Sequence, residues 1–292
     1  MNGGLRHMAH CIVPEAEKIL DRKYPVLDKG FVRLVDYMGS DGRIVQAARV
    51  SYGHGTKTYR EDKGLINYLL RNDHMSPFEQ VIFTFHIKLP IFVARQWIRH
   101  RVARVNEISG RYSVMKEEFY VPKLTDIAFQ SSDNKQGRDK AAVPRGIAGK
   151  VLRILAADYR KIYTDYQSLL RENIAREIAR INLPLSLYTE WYWQIDLRNL
   201  FHFLMLRLDQ HAQREIRYYA QVLYRIARKV CPIACEAFDE HWLHAVRFSR
   251  GEMECLRALL KRKPGMLEGR AYELFVKKLG FDPRPLNSGR RP

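Results

Sequence analysis

The sequence predicts an α+β fold in which a few antiparallel strands are covered by helices. Three observations carry that reading. Residues 31–37 alternate apolar and charged side chains, as a half-buried strand does. Residues 81–88 and 185–193 are runs rich in β-branched, aromatic and leucine side chains. Between and after these runs, apolar residues recur every three or four positions, the mark of a helix with one buried face. A chain of 292 residues is long enough to bury a sizeable core.

Taken in order, residues 1–26 read as a polar, partly helical extension. After the first strand, Gly39-Ser40-Asp41-Gly42 is a turn, and Ser40 or Asp41 is placed to cap the next helix. That helix carries Ile44, Ala47, Ala48 and Ser51 at helical spacing. Residues 52–58 are a Gly-containing loop. A second helix spans residues 59–72, with Leu65, Tyr68 and Leu69 on its apolar face. In His74-Met75-Ser76-Pro77-Phe78-Glu79 the proline suits the first turn of a short helix, with Ser76 as N-cap. Pro90 opens a helix that packs through Phe92, Val93 and Trp97. Residues 112–122 read as extended, and 123–147 as a polar surface loop. A long helix follows over 148–170, a shorter one over 174–181, and helices again from Leu197 to Val230. Residues 252–263 close the pattern as a helix that Pro264-Gly265 ends.

The chemistry concentrates in residues 95–113. This stretch holds Arg95, Arg99, Arg101, Arg104 and Arg111 against one acid, Glu107. Guanidinium groups are permanently cationic, and their forked donors match phosphate oxygens. Gly110, between Ser109 and Arg111, lets backbone N–H groups approach an anion closely. Asn106 and Glu107 are able to hydrogen-bond a heterocycle or a sugar. The residues therefore describe a site for a phosphorylated nucleotide; a solvated basic turn is the alternative reading.

Arg99-His100-Arg101, seven residues, then Ser109 resembles the signature of the flavin-dependent thymidylate synthases. Gln96 and Trp97 before it and Gly110-Arg111-Tyr112-Ser113 after it also fit, and the likeness runs from about Leu27 to Phe238. Arg104 departs from the small polar residue common in that family, which implies altered local charge. The resemblance implies the family's fold, a homotetramer with active sites at subunit interfaces, and conversion of dUMP to dTMP. Methylenetetrahydrofolate would supply the carbon, FAD the hydride, and NADPH would reduce the flavin.

The resemblance also implies roles. Arg207 and Ser109 are the catalytic candidates. Arg207 would stabilise charge developing on the uracil, and Ser109 would orient or polarise the nucleotide. Gln96, Trp97, Ile98, Arg99, Glu107, Ile108, Ser109, Gly110, Arg111, Arg180 and Arg207 fit the nucleotide site. His74, Ser76, Glu79, Arg99, His100, Arg101, Glu107, Asp196, Leu197, Arg198 and His202 fit the flavin site. Asp196 stands where an asparagine is common, so its flavin contact is expected through backbone only. Arg198 and Arg207 are nine residues apart, so on one helix they project from opposite sides, about 13 Å apart along it. If both serve active sites, the helix is shared between subunits.

This places a catalytic domain over residues 27–240, between an extension over 1–26 and a basic one over 241–292. From Ala245 to Pro292 there are twelve Lys or Arg and five acids, including Lys261-Arg262-Lys263 and Arg290-Arg291. The net charge of +18 attracts polyanions, so a basic RNA- or DNA-binding protein is the rival reading. No helix-turn-helix, zinc-finger or RNA-recognition signature supports it. A flavoprotein that methylates uracil in RNA is the second rival, but the Gly-x-Gly-x-x-Gly usual in such enzymes is missing. Cys11, Cys231, Cys235 and Cys255 lack a zinc-ligand pattern, and no metal is expected. No apolar run reaches the roughly 20 residues of a membrane span, and residues 1–13 do not read as a secretory signal. A cytoplasmic location without membrane contact is the resulting expectation.

Overall fold

A computed structural model of the chain describes residues 12–50, 59–132, 137–260 and 267–283. The chain forms two compact units, residues 1–238 and 239–292. In the first, the elements in order are α1 (Pro14–Glu17), β1 (Lys23–Val26), β2 (Gly30–Met38), α2 (Asp41–Arg49), α3 (Tyr59–Arg71), β3 (Ile82–Pro90), α4 (Ile91–Trp97) and β4 (Arg104–Glu107). Then come β5 (Ala128–Gln130), β6 (Arg138–Ala142), α5 (Arg145–Arg171), α6 (Arg176–Ala179), β7 (Tyr188–Asp196), α7 (Leu197–Arg207), α8 (Arg214–Val230) and α9 (Pro232–Phe238).

One sheet carries five strands in the order β1-β2-β3-β7-β4, each pair antiparallel. Its apolar face buries Val32, Leu34, Phe83, Phe85, Ile87, Trp191, Trp193 and Ile195. Helix α8 supplies apolar partners at helical spacing, among them Ile216, Tyr219, Leu223 and Ile226. Each such side chain contributes about 1.5–3 kcal/mol through burial. Gly30 is required where Tyr219 crosses β2: its hydroxyl donates to the Lys88 carbonyl at 2.8 Å. A Cβ at Gly30 would collide with that hydroxyl and lie 2.7 Å from two carbonyls.

The opposite face is polar and aromatic. His86 stacks on Tyr192 at 5.0 Å and contacts Glu190 at 3.0 Å, and Arg33 donates to the Tyr192 hydroxyl. At the edge of the sheet, β4 divides its side chains between the two faces. Val105 and Glu107 pair with the buried Trp193 and Trp191, whereas Arg104 and Asn106 pair with Gln194 and Tyr192.

Several expectations are corrected. Residues 23–26, read as part of a polar extension, form edge strand β1 of the sheet. The 123–147 segment is no simple loop: it holds a 3-10 turn, Leu124–Asp126, the β5–β6 hairpin and the start of α5. The 185–193 strand begins instead at Tyr188, because the carbonyls of Leu187 and Leu185 accept the first two N–H groups of α4, from Ile91 and Phe92. Residues 112–122 run irregularly beside it, with one bridge, Phe119 to Leu187. Ser40 stands at the N-cap of α2, but its side chain does not cap that helix. Asp41 caps a different helix: its carboxylate accepts from Ile233 and Ala234 N–H at 2.9 Å each, at the start of α9. Burial pushes its pKa up to about 6 against those two bonds.

On α3 the buried face is Ile66, Leu69 and Leu70, and Tyr68 is 49% exposed. Met75, not Ser76, is the N-cap of the 3-10 turn Ser76–Gln80. The 174–181 helix shortens to α6 plus a 3-10 turn, Arg180–Asn182. The 197–230 run splits at residues 208–213 into α7 and α8. Residues 52–58, Cys11 and the runs 261–263 and 290–291 lie outside the described residues.

The second unit contains α10 (Arg250–Leu260) and α11 (Gly269–Leu279). They close on a small core of Cys255, Tyr272 and Phe275. Lys278 binds Glu252 at 2.6 and 2.7 Å, and Gly280, at φ +78°, ends α11 in the left-handed region.

Candidate active site

Helix α4 leads into the Arg-rich stretch and is fixed by Trp97. That indole is fully buried and touches Trp191, Trp193, Phe203 and Tyr219, with ring centroids 4.7–5.9 Å away. The backbone then turns, which leaves Ile98, Arg99 and Arg101 exposed. Among the described residues, no carboxylate pairs with Arg95, Arg99, Arg101 or Arg104. Four neighbouring cations without counter-charges favour an anionic ligand.

Arg207, at the end of α7, returns to this stretch. Its Nε–H donates to His100 Nε2 at 3.1 Å, and Nη2 donates to the Gln96 carbonyl at 3.2 Å. The His100 ring packs on Phe203 at 4.8 Å and lies 5.8 Å from the His202 ring. Burial, followed by the charge of Arg207 and by His202, lowers the His100 pKa to about 4. His100 is therefore neutral at pH 7 and accepts at Nε2, so its remaining proton sits on Nδ1. Burial also lowers the Arg207 pKa, yet a guanidinium stays charged. The Gln96 side chain in turn donates to Gln213 Oε1.

The other candidates form separate groups. Ser109 Oγ accepts from the Arg111 N–H at 3.2 Å. Gly110 is buried with the Arg180 side chain against it, where a Cβ would lie 3.2 Å from Arg180 Cδ. Arg111 pairs with Glu177 at 3.2 Å, both exposed. Glu107 Oε1 accepts from Thr189 Oγ1 at 2.5 Å. At the far end of α7, Arg198 pairs with Glu79 at 2.6 Å, next to the exposed His74 and Ser76. Among the described residues, no hydrogen bond or ion pair joins the Arg207–His100–Gln96 group to the Ser109–Arg111–Arg180 group. Also among them, no cluster of His, Cys, Asp or Glu is placed to hold a metal ion.

Residues 33–233 match the family model described as thymidylate synthase complementing protein, and residues 246–282 match the thymidylate synthase ThyX C-terminal domain. The flavin-dependent thymidylate synthase of Treponema denticola is 63% identical over 260 residues, 89% of this chain and 98% of that one. The chain belongs to the flavin-dependent thymidylate synthase family. The Treponema pallidum member is 55% identical over 272 residues, covering 93% of this chain and 89% of that one. The crystal structure of a UMP/dUMP methylase, PolB of Streptomyces cacaoi, bound with 5-Br dUMP, superposes with a TM-score of 0.68 at 34% identity. It covers 75% of this chain and 99% of that one.

For a member of the flavin-dependent thymidylate synthase family, the donor set fits a flavin nucleotide. Ser76, Arg99, Arg101, Arg198 and His202 are exposed polar or cationic groups, and a dinucleotide carries phosphates for such forks to hold. Two candidates change meaning. Trp97 and Leu197 are both fully buried, so their side chains are core; the Leu197 N–H donates to the Val81 carbonyl at 2.8 Å, and the Trp97 carbonyl accepts from the His100 N–H at 3.0 Å. Asp196 caps α7, its carboxylate accepting from Asn199 N–H at 2.9 Å and Nδ2 at 2.6 Å. Both carboxylate oxygens are thereby engaged within α7. Gln213 and Glu215 adjoin the Arg207–His100–Gln96 group through hydrogen bonds that leave no trace in sequence spacing. A cavity of about 540 Å³ between residues 25–28, 120–126 and α8 touches none of the signature residues.

Proposed function

We propose that this chain converts dUMP to dTMP, with methylenetetrahydrofolate as carbon donor and with FAD that NADPH reduces. The observation that carries the reading is the junction of Arg207 with His100 and Gln96, which holds a cation fixed inside the signature stretch. A preorganised cation stabilises negative charge as it develops on the uracil, without reorganising. Bound FAD would supply the hydride chemistry that side chains lack. Gln96, Arg99, Ser109, Gly110, Arg111 and Arg180 hold the nucleotide, the guanidinium groups and backbone N–H groups taking its phosphate. Glu107 is held by Thr189 to accept from the nucleotide or the flavin. His74, Ser76, Glu79, Arg99, His100, Arg101, Arg198 and His202 hold the flavin. His100 contributes as a neutral ring.

The active unit is a homotetramer whose sites lie between subunits. What supports this is the placement of Arg198 and Arg207, nine residues apart on α7 and so projecting from opposite sides of one helix. Residues 27–240, with the edge strand β1 just before them, form the catalytic domain, and 241–292 a basic extension. A cytoplasmic location follows from the substrates; among the described residues no helix is long and apolar enough to cross a membrane.

The test is dUMP-dependent NADPH oxidation with dTMP as product, in protein that purifies yellow. Absence of a flavin spectrum after FAD supplementation sinks the proposal. UMP is the second acceptor to assay, because the Streptomyces neighbour is a UMP/dUMP methylase that also binds 5-Br UMP.

A further inference from the structure

We propose that Glu215 is a positioning residue for the nucleotide: acting through Gln213, it fixes the orientation of the Gln96 side-chain amide. The inference rests on the reading of Gln96 as a nucleotide-binding residue.

Glu215 lies in the first turn of α8 and is only 3% exposed. A buried carboxylate is unfavourable unless its charge is paired and its oxygens are bonded. Three side-chain donors meet it. Arg138 pairs with it from β6, the Tyr120 hydroxyl donates at 3.2 Å, and Gln213 Nε2 donates at 2.9 Å. Burial by itself would raise the carboxyl pKa, but the bond and charge of Arg138, with the Gln213 bond, hold it below the ordinary value. Glu215 is therefore ionised at neutral pH.

An ionised carboxylate only accepts, whereas an amide has one accepting and one donating end. Glu215 thus draws the NH₂ end of Gln213 toward itself, which turns Gln213 Oε1 toward Gln96. Gln213 Oε1 accepts from Gln96 Nε2. The NH₂ end of Gln96 is thereby directed at Gln213, and its Oε1 is left to accept from a ligand N–H or hydroxyl. The Gln96 backbone is held too, because its carbonyl accepts from Arg207. Without an acceptor-only group at 215, either orientation of the Gln213 amide finds a partner, and Gln96 is free to rotate by 180°.

The experiment measures dUMP affinity of the FAD-loaded enzyme from the change in flavin absorbance. Glu215→Gln is expected to weaken dUMP about tenfold, the effect of one well-placed hydrogen bond, with flavin content kept and kcat changed far less than KM. In the double variant Glu215→Gln, Gln213→Glu, an acceptor-only side chain again faces Gln96, and most of the lost affinity returns. A merely structural role would lower the melting temperature and would not be rescued by this exchange. Unchanged dUMP affinity in Glu215→Gln, or a double variant no tighter than the single, overturns the inference. Should Glu215→Gln fail to fold, Gln213→Met removes the same link at a less buried position, and unchanged dUMP affinity there overturns it equally. Gln96→Ala separates the two readings. If it leaves dUMP affinity unaltered, the nucleotide role of Gln96 is wrong; if it weakens dUMP while Glu215→Gln does not, only the link through Gln213 is wrong.

Discussion

Arg207 Nε–H donates to His100 Nε2 across 3.1 Å, so the central histidine of the Arg99-His100-Arg101 signature is held as an acceptor beside a permanent cation. A protonated imidazole has no lone pair for that bond and would face the guanidinium as a like charge.

The pH dependence follows from this pair. The His100 pKa is about 4, below its ordinary value of 6.5. Below pH 6.5 the unfolded chain takes up a proton that the folded site refuses. The stability present above pH 6.5 is thus lost as pH falls toward 4, and His100 adds no further loss below that. An NMR titration of the His100 ring in flavin-free protein should show no protonation until about pH 4. A ring that titrates near 6.5 removes the Arg207–His100 bond from consideration.

Arg207→Ala should lower kcat about 10²–10³-fold, the cost of losing one preorganised charge contact, about 2.7–4 kcal/mol. Its effect on melting temperature should be small, since the side chain is only half-buried. Arg207→Lys should not restore turnover, because a single ammonium does not reproduce the two divergent bonds from Nε and Nη2. Steady-state dTMP formation decides both variants, and normal rates in the alanine variant exclude Arg207 from the chemistry.

Sharing of sites between subunits predicts complementation. Arg198 and Arg207 stand at the two ends of α7. Inactive Arg198→Ala and Arg207→Ala enzymes, mixed and allowed to exchange subunits, should regain part of the activity. A fully active monomer in sedimentation argues against shared sites.

No cysteine should prove catalytic. Cys231, Cys235 and Cys255 have no exposed surface, whereas an attacking thiolate needs an accessible, electropositive setting. A variant with all four cysteines replaced by alanine or serine should still form dTMP, provided it folds. Loss of turnover on replacing one cysteine, with flavin binding intact, contradicts this.

The sheet was legible because its central strands are fully apolar on one face, so Phe83, Phe85 and Ile87, and Trp191 and Trp193, declare the period of two. Helix α8 was legible for the matching reason, a strong apolar stripe. The β5–β6 hairpin was not, because Arg138-Asp139-Lys140 offers no apolar alternation and β6 has β5 as its strand partner. Helix α11 could have been read: Tyr272, Phe275, Val276 and Leu279 recur at helical spacing, and its buried face is Tyr272 and Phe275. Among the site residues, Arg99, His100, Arg101 and Ser109 stood out through their spacing. Gln213 and Glu215 did not, because what distinguishes them is which amide end faces which oxygen.

The division of β4 side chains between two faces makes the interval from Arg101 to Ser109 a ruler. A strand reverses facing with every residue, so one residue added or removed between them would turn Glu107 away from Thr189 and swing Arg104 to the opposite side. Two residues would restore the facing but slide everything beyond by roughly 7 Å. The motif therefore withstands exchange of its intervening residues, Arg104 among them, far better than any change in their number.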